Sequence, residues 1–250
     1  MRLIGEGLNN SQIARETGIS RTTVRGWRVG NIYGHRKRAA GRAGLECDGS
    51  CRSVEHAIDF GDIYSYLLGQ YLGDGMLSEA RRHVYRLRIA CTAAYPEIID
   101  EVIGSVSTIR GSERIGLTDR GGDMEVSSYW KHWICVFPQH GAGPKWKRPI
   151  TLAGWQRQVV DHHPWPFLRG LVHSDGCRHI NTVQRPVAGK IKKYRYSRYT
   201  FTNASDDIRG LFTDACDAVG VQWTRANERV VAVSRRADVA IMDRFIGPKR

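Results

Sequence analysis

A chain of 250 residues can bury one large core or two modest ones, and its 38 Lys and Arg against 25 Asp and Glu give a formal net charge of +13 with a pI near 9.8. An excess of that size, spread along the chain, suits a polyanionic partner whose phosphates the basic residues track and whose counterions they release. MRLIGEGLNN lacks the apolar core of a signal peptide, and no stretch approaches the roughly 20 apolar residues of a membrane span, so a cytoplasmic protein that touches no membrane is expected.

The first predicted unit covers residues 1–34. From Ser11 to Trp27 the chain reads as a short helix, a tight turn at Gly18 and a second helix, with Ser11 as the N-cap and Ile13 and Ala14 facing inward. Ile19, Val24 and Trp27 would pack the second helix on the first. Arg21, Thr22, Thr23, Arg25 and Arg28 are then left at the start and outer face of that helix, where a recognition helix presents side chains to a groove. The pattern resembles the helix-turn-helix units of resolvases and phage regulators, with the usual first helix reduced to the few residues before Asn9. A small helical hairpin that binds protein is the alternative.

Residues 35–58 are expected to be a basic linker, because the run from His35 to Ser53 is rich in Arg, Gly and Ala without apolar periodicity. It holds the only close cysteine pair, Cys47 and Cys51. Their three-residue gap is allowed in zinc sites, but a closed site needs four ligands, and His35 and His56 are the only nearby candidates. Cys91, Cys135, Cys177 and Cys216 are scattered and read as small apolar residues with free thiols.

From about Asp59 onward the sequence repeats itself. Tyr66-Leu-Leu-Gly69-Gln-Tyr-Leu-Gly73-Asp74-Gly75 matches Phe167-Leu-Arg-Gly170-Leu-Val-His-Ser174-Asp175-Gly176, about one small domain further on. Each segment is followed by an alternating stretch, His83–Ala90 in the first and Lys193–Thr202 in the second. A helical stretch comes next in each, Pro96–Ile103 and Asp206–Cys216. A second pair of predicted strands closes each half: Met124–Ser127 with His132–Phe137, and Val221–Thr224 with Arg229–Ser234. The predicted order in each repeat, residues 59–160 and 161–250, is therefore αββαββα.

Gly69 and Gly73 are four apart, as are Gly170 and Ser174, so each motif helix carries small residues on one face. Two such faces let the backbones approach closely and bring Asp74 and Asp175 together at the helix ends. Two carboxylates so placed repel when ionised unless divalent cations sit between them. As mere turn residues they are a poor choice, because an acid at the negative end of a helix costs stability. His173, beside the second motif, is read as a packed or hydrogen-bonded histidine rather than a ligand.

The paired segments resemble the LAGLIDADG motif, and the chain over about residues 60–250 is similar to single-chain, two-repeat LAGLIDADG homing endonucleases. The resemblance implies an α+β fold of two pseudo-symmetric repeats forming a DNA-binding saddle, preceded by a small all-α helix-turn-helix. It implies a monomer that cuts double-stranded DNA at a long asymmetric site, using Mg2+ or Mn2+, in a nucleoid-associated setting of bacterial or phage origin. Asp74 and Asp175 would be the catalytic metal ligands, with Gly73 and Ser174 as further metal contacts. Lys147 and Arg235 would supply the catalytic cations, with Lys145 and Arg236 close behind as DNA contacts. Asn203 would orient the water, whereas its counterpart in the first repeat falls near Cys91 or Thr92, a departure from the usual polar amide. Base and phosphate contacts would come from Arg86, Arg88, Arg195, Ser197 and Arg198. Tyr194, Tyr196 and Tyr199 are expected to pack on the opposite face. Two other functions remain open: a transcription regulator that keeps this scaffold without cleavage, and an RNA-binding splicing helper.

Overall fold

The computed structural model describes residues 9–17, 51–247 and 249. The chain divides into two units, Met1–Leu45 and Glu46–Arg250. In the first, α1 spans Asn10–Thr17. Its cap is Asn9 and not Ser11: Asn9 Oδ1 accepts from the backbone N–H groups of Ser11 and Gln12 at 3.0 Å, and Gln12 Oε1 accepts from the Asn9 N–H at 2.8 Å. That reciprocal pair is a capping box, which satisfies more of the orphan donors than a serine at position 11 could. Ile13 is buried, as expected. Gly18, Arg21, Thr22, Thr23, Arg25, Arg28, His35 and Cys47 lie outside the described residues, and with them the predicted second helix and most of the predicted linker.

The second unit begins with α2 (Arg52–Asp59), which takes over the end of the predicted linker because Val54 and Ala57 give it a buried face. His56, one of the zinc candidates, bonds instead to the Thr108 carbonyl, 2.9 Å from its Nε2. The first repeat then runs α3 (Gly61–Asp74), β1 (Gly75–Glu79), β2 (Tyr85–Thr92), α4 (Pro96–Arg110), β3 (Gly116–Asp119) and β4 (Asp123–Trp130). After a one-turn helix α5 (Trp133–Val136) and α6 (Gly154–His162), the second repeat runs α7 (Pro164–Asp175), β5 (Gly176–Val187), β6 (Lys190–Thr202), α8 (Asp206–Ala218), β7 (Thr224–Asn227), β8 (Val230–Val233) and α9 (Arg236–Phe245). The two antiparallel sheets have the same topology, β1-β2-β4-β3 and β5-β6-β8-β7. The expected α+β architecture of two αββαββα repeats is therefore the observed one.

Period-two alternation decides which face each strand turns inward. In β2, Leu87, Ile89 and Cys91 are buried, while Arg86 and Arg88 stand on the open face. In β6, Tyr199 and Phe201 are buried. The register also puts Arg198, Tyr196 and Tyr194 on one face and Tyr199, Ser197 and Arg195 on the other. Tyr194 and Tyr196 are thus exposed beside Arg198 and do not pack with Tyr199, since an even spacing along a strand keeps side chains together and an odd one separates them.

Two predicted strands are corrected. His132–Phe137 is not a strand: its apolar run Trp-Ile-Cys-Val forms α5, which buries Trp133 and Val136 and lets Trp133 Nε1 donate to the Ser128 carbonyl at 3.1 Å. A short unbroken apolar run carries no period to tell the two apart. Val221–Thr224 yields to a helix cap. Gly220, at φ 72°, lets the Val221 N–H bond back to Cys216 O at 2.9 Å, so the strand starts only at Thr224. Gly111 (φ 65°) ends α4 in the first repeat by the same device, the Ser112 N–H reaching Ser107 O at 3.1 Å.

The helices α3 and α7 form the most extensive helix contact of the unit, and α3 is buried nearly all round from Tyr64 to Leu72. One buried polar chain links the two helices: Gln70 Nε2 donates to Tyr66 OH at 2.9 Å, and that hydroxyl lies 3.2 Å from His173 Nδ1. Among the described residues no helix is long and apolar enough to cross a membrane.

Candidate functional site

Two glycines set how closely the helix pair can approach. A Cβ on Gly69 would lie 2.6 Å from Phe167 O and 2.7 Å from Leu171 N, and one on Gly170 would strike Tyr66 O. Only backbone without side chains fits at that crossing. One turn further on, Gly73 faces Ser174, where a Cβ would come within 2.5 Å of the Ser174 Cβ and 3.1 Å of Asp175 Oδ2. The pair of small residues in each motif thus does what its spacing predicts, and the acids that follow meet at the helix C-termini.

There the electrostatics are those of crowded charge. Burial raises the Asp74 pKa to about 6, with the Asp175 carboxylate adding to the rise and the ammonium groups of Lys145 and Lys249 opposing it. Burial also raises Asp175, against the hydrogen bond from Asn203 and the same two lysines. Asn203 Nδ2 donates to Asp175 Oδ2 at 2.6 Å while its Oδ1 accepts from the Ser205 N–H at 2.7 Å, which fixes both ends of the amide. Cys91 occupies the corresponding place beside Asp74 and is buried, its thiol pushed up to about 12. The surroundings differ accordingly. Asp175, Asn203 and Lys145 border an open cavity of about 670 Å³, whereas Asp74 lies with Cys91, Thr92 and Lys249 at a cleft of about 30 Å³.

Each helix end carries one lysine. Lys145 Nζ donates to the carbonyls of Tyr71, Leu72 (3.0 Å) and Gly73 (3.2 Å), and Lys249 Nζ donates to Ser174 O at 3.2 Å. Cations are favoured there because the last carbonyls of a helix have no intrahelical partner. Burial lowers the Lys145 pKa to about 8 even with both aspartates beside it, and burial lowers Lys249 as well.

Of the residues singled out in the sequence, the structure brings together Asp74, Asp175, Gly73, Ser174, Asn203 and Lys145. It does not bring Lys147 or Arg235 to the carboxylates. Lys147 is exposed, its ammonium 4.8 Å from the Trp146 ring centre, because the turn Lys145–Lys147 points the first lysine inward and the last outward. Arg235 caps α9, mostly exposed, with Asp238 3.9 Å away. The place expected for Arg235 is filled by Lys249, which no motif marks. His173 is buried, and burial depresses its pKa to about 3, so it is a neutral hydrogen-bonding side chain.

The basic strand residues fall into two groups. Arg86 and Arg88 line the open face of the first sheet, Arg86 bonded to Glu125 Oε1 at 2.7 Å, and Arg198 holds the open face of the second, its Nε 3.1 Å from His179 Nε2. Arg195, Ser197 and Arg236 gather instead on the helix side, around a groove beside α9. Tyr199 marks that side by donating its hydroxyl to Asp243 Oδ1 on α9 at 2.7 Å.

The donor set at the helix ends is hard: two carboxylates and the carbonyls of Gly73 and Ser174. It fits a cation that prefers oxygen, such as magnesium or manganese.

No protein-family profile and no curated protein matches the chain. Solved structures do. A mesophilic variant of the homing endonuclease I-DmoI is 12% identical with a TM-score of 0.48, covering 75% of this chain and 96% of that one. The LAGLIDADG meganuclease I-AabMI bound to uncleaved DNA is 10% identical with a TM-score of 0.47, covering 73% and 82%. The N-terminal LAGLIDADG domain of DUF199/WhiA is 12% identical with a TM-score of 0.44, covering 80% and 92%.

Proposed function

We propose that this chain is a site-specific endonuclease of the homing type, which holds double-stranded DNA against the open faces of its two sheets and hydrolyses phosphodiester bonds at the Asp74–Asp175 centre. The observation that carries this reading is the meeting of two carboxylates at the ends of a glycine-crossed helix pair, an arrangement that costs stability and serves no packing purpose. A magnesium or manganese ion held by Asp74, Asp175 and the carbonyls of Gly73 and Ser174 would supply Lewis acidity and a more acidic bound water. The chain's own groups do the rest. Asn203 keeps Asp175 in one orientation through its 2.6 Å hydrogen bond. Lys145, charged at neutral pH and bordering the open cavity beside Asp175, offsets phosphate charge without leaving the helix end.

The open faces carry Arg86 and Arg88 on one sheet and Arg198, Tyr194 and Tyr196 on the other, so the two halves of a target site would be read differently. An asymmetric site follows from that difference, and one copy of the chain supplies both halves. Arg195, Ser197 and Arg236, on the helix side, would touch flanking phosphate rather than bases. The segment that holds Arg21, Thr22, Thr23, Arg25 and Arg28 would extend the footprint as a helix-turn-helix.

A second reading, a regulator that binds DNA without cutting it, is favoured by one observation: the amines of Lys145 and Lys249 already hold the carbonyls of Gly73 and Ser174. The two are separated by incubating the full chain with DNA from its own genomic locus and magnesium or manganese, beside Asp74→Asn and Asp175→Asn. Cleavage by the parent and by neither variant, with binding kept in all three, is the expected result. Tight binding by the parent without cleavage at any metal concentration would leave only the regulator.

A further inference from the structure

A second group of ligating side chains lies away from the aspartates. Cys51, His132 and Cys135 bring their ligating atoms all within 4.8 Å of one another, each half-buried. Among the described residues it is the one cluster of three His, Cys, Asp or Glu side chains so placed. The residues come from two places in the sequence. Cys51 is the N-cap of α2, its carbonyl accepting from the N–H of Val54 at 2.8 Å, so the start of that helix aims it. His132 is the N-cap of α5, and Cys135 lies within it, its N–H bonded to His132 O at 3.0 Å.

The helical form of α5 is what assembles the group. In a strand, positions three apart point to opposite faces, whereas one helical turn puts them side by side. Cys135 Sγ lies 3.7 Å from His132 Nδ1. In a tetrahedral zinc site with bonds of about 2.3 Å to sulfur and about 2.1 Å to nitrogen, that edge is about 3.6 Å. The ring of Trp130, edge-on at 5.3 Å, supports the imidazole from one side.

We propose that Cys51, His132 and Cys135 bind a zinc ion that pins the start of α2 to the end of the first sheet. Two thiols and an imidazole are a soft to borderline donor set that selects zinc over the hard cations suited to the oxygen-lined helix ends. The thiols bind as thiolates, so each metal taken up releases their two protons to solvent and no oxidant is needed. Three protein ligands leave the fourth tetrahedral position to a water molecule; Cys47, four positions before Cys51, lies outside the described residues, and the proposal does not depend on it.

The test is metal content and spectrum, which are independent of any DNA cleavage. The full chain, purified under reducing conditions, is expected to carry one zinc ion. Its cobalt form should show a thiolate-to-cobalt charge-transfer band with the visible bands of a tetrahedral site. Cys51→Ser, His132→Ala and Cys135→Ser should each lose the metal and the band, while Cys177→Ser, which alters an exposed thiol outside the cluster, keeps both. Stripping the parent with a chelator should lower its Tm and added zinc should restore it, an arm that needs no variant to fold. A parent chain that neither holds zinc nor gives the thiolate band overturns the site. So does a Cys51–Cys135 disulfide in the peptide map of the isolated protein.

Discussion

Lys145 and Lys147 are two positions apart, yet one is seated on three helix carbonyls beside both aspartates and the other lies over Trp146 in solvent. Replacing Lys145 with Met should slow DNA cleavage by about 10²–10³-fold, the usual cost of losing a preorganised charge at a reacting centre. Lys147→Met should cut at nearly the parent rate, and equal losses in the two variants would remove Lys145 from the site. Acid–base behaviour gives a second prediction. Asp74 titrates near 6 in the folded chain against an ordinary value near 4, so it holds its proton more tightly when folded. Its contribution to stability is full at low pH and is lost as pH rises through about 6. Asp74→Asn should therefore raise Tm at pH 8, with the gap to the parent closing by pH 4. Because Asp74 reaches solvent, the gain is held below about 1 kcal/mol, or about 2–4 °C. Magnesium should stabilise the parent at pH 8 and not the variant. A thermal melt series across pH decides it, and a lower Tm for Asp74→Asn at pH 8 would contradict the pKa argument. Asn203 was reached through the resemblance, which implies a polar residue on the first hairpin of each repeat, and not through periodicity. Lys249 could not be found from the sequence, because no periodicity says where a C-terminal tail will reach.

Among the elements, α3 and α7 show how specific a glycine can be. The crossing leaves no room for a side chain at Gly170, so Gly170→Val should destabilise by about 3 kcal/mol or more, read from urea unfolding. Gly104, mid-helix in α4 with nothing within 4 Å of a built Cβ, is the control, and Gly104→Ala should stabilise by about 0.5–1 kcal/mol. If both substitutions were tolerated alike, the close crossing would be wrong. The strands β2 and β6 were legible because a half-buried strand must alternate. The elements that differ from the sequence expectation are those whose identity is settled outside their own residues. His132–Phe137 becomes α5 because its apolar run finds partners around Trp133, and Val221 joins the end of α8 because Gly220 adopts a left-handed turn. The cluster of Cys51, His132 and Cys135 exists only because α5 is a helix.

At the scale of the molecule, the duplication was plain in the sequence because each half must bury one face of a sheet beneath helices, and that need recurs with the same period and the same glycine-bearing motif. The order αββαββα, the helix pair and the meeting of Asp74 with Asp175 all followed from local spacing. What the repeats do not share was decided by the fold alone. Asn203 bonds Asp175 while Cys91 lies by Asp74, and the two acids border different cavities. Contacts between residues far apart in sequence have no local signature, since side chains meet there only after the backbone has packed. The amino-acid sequence by itself determined the repeats, the basic charge and the paired carboxylates. The tertiary structure chose the cations that answer those carboxylates and gathered two cysteines and a histidine at the edge of the first repeat.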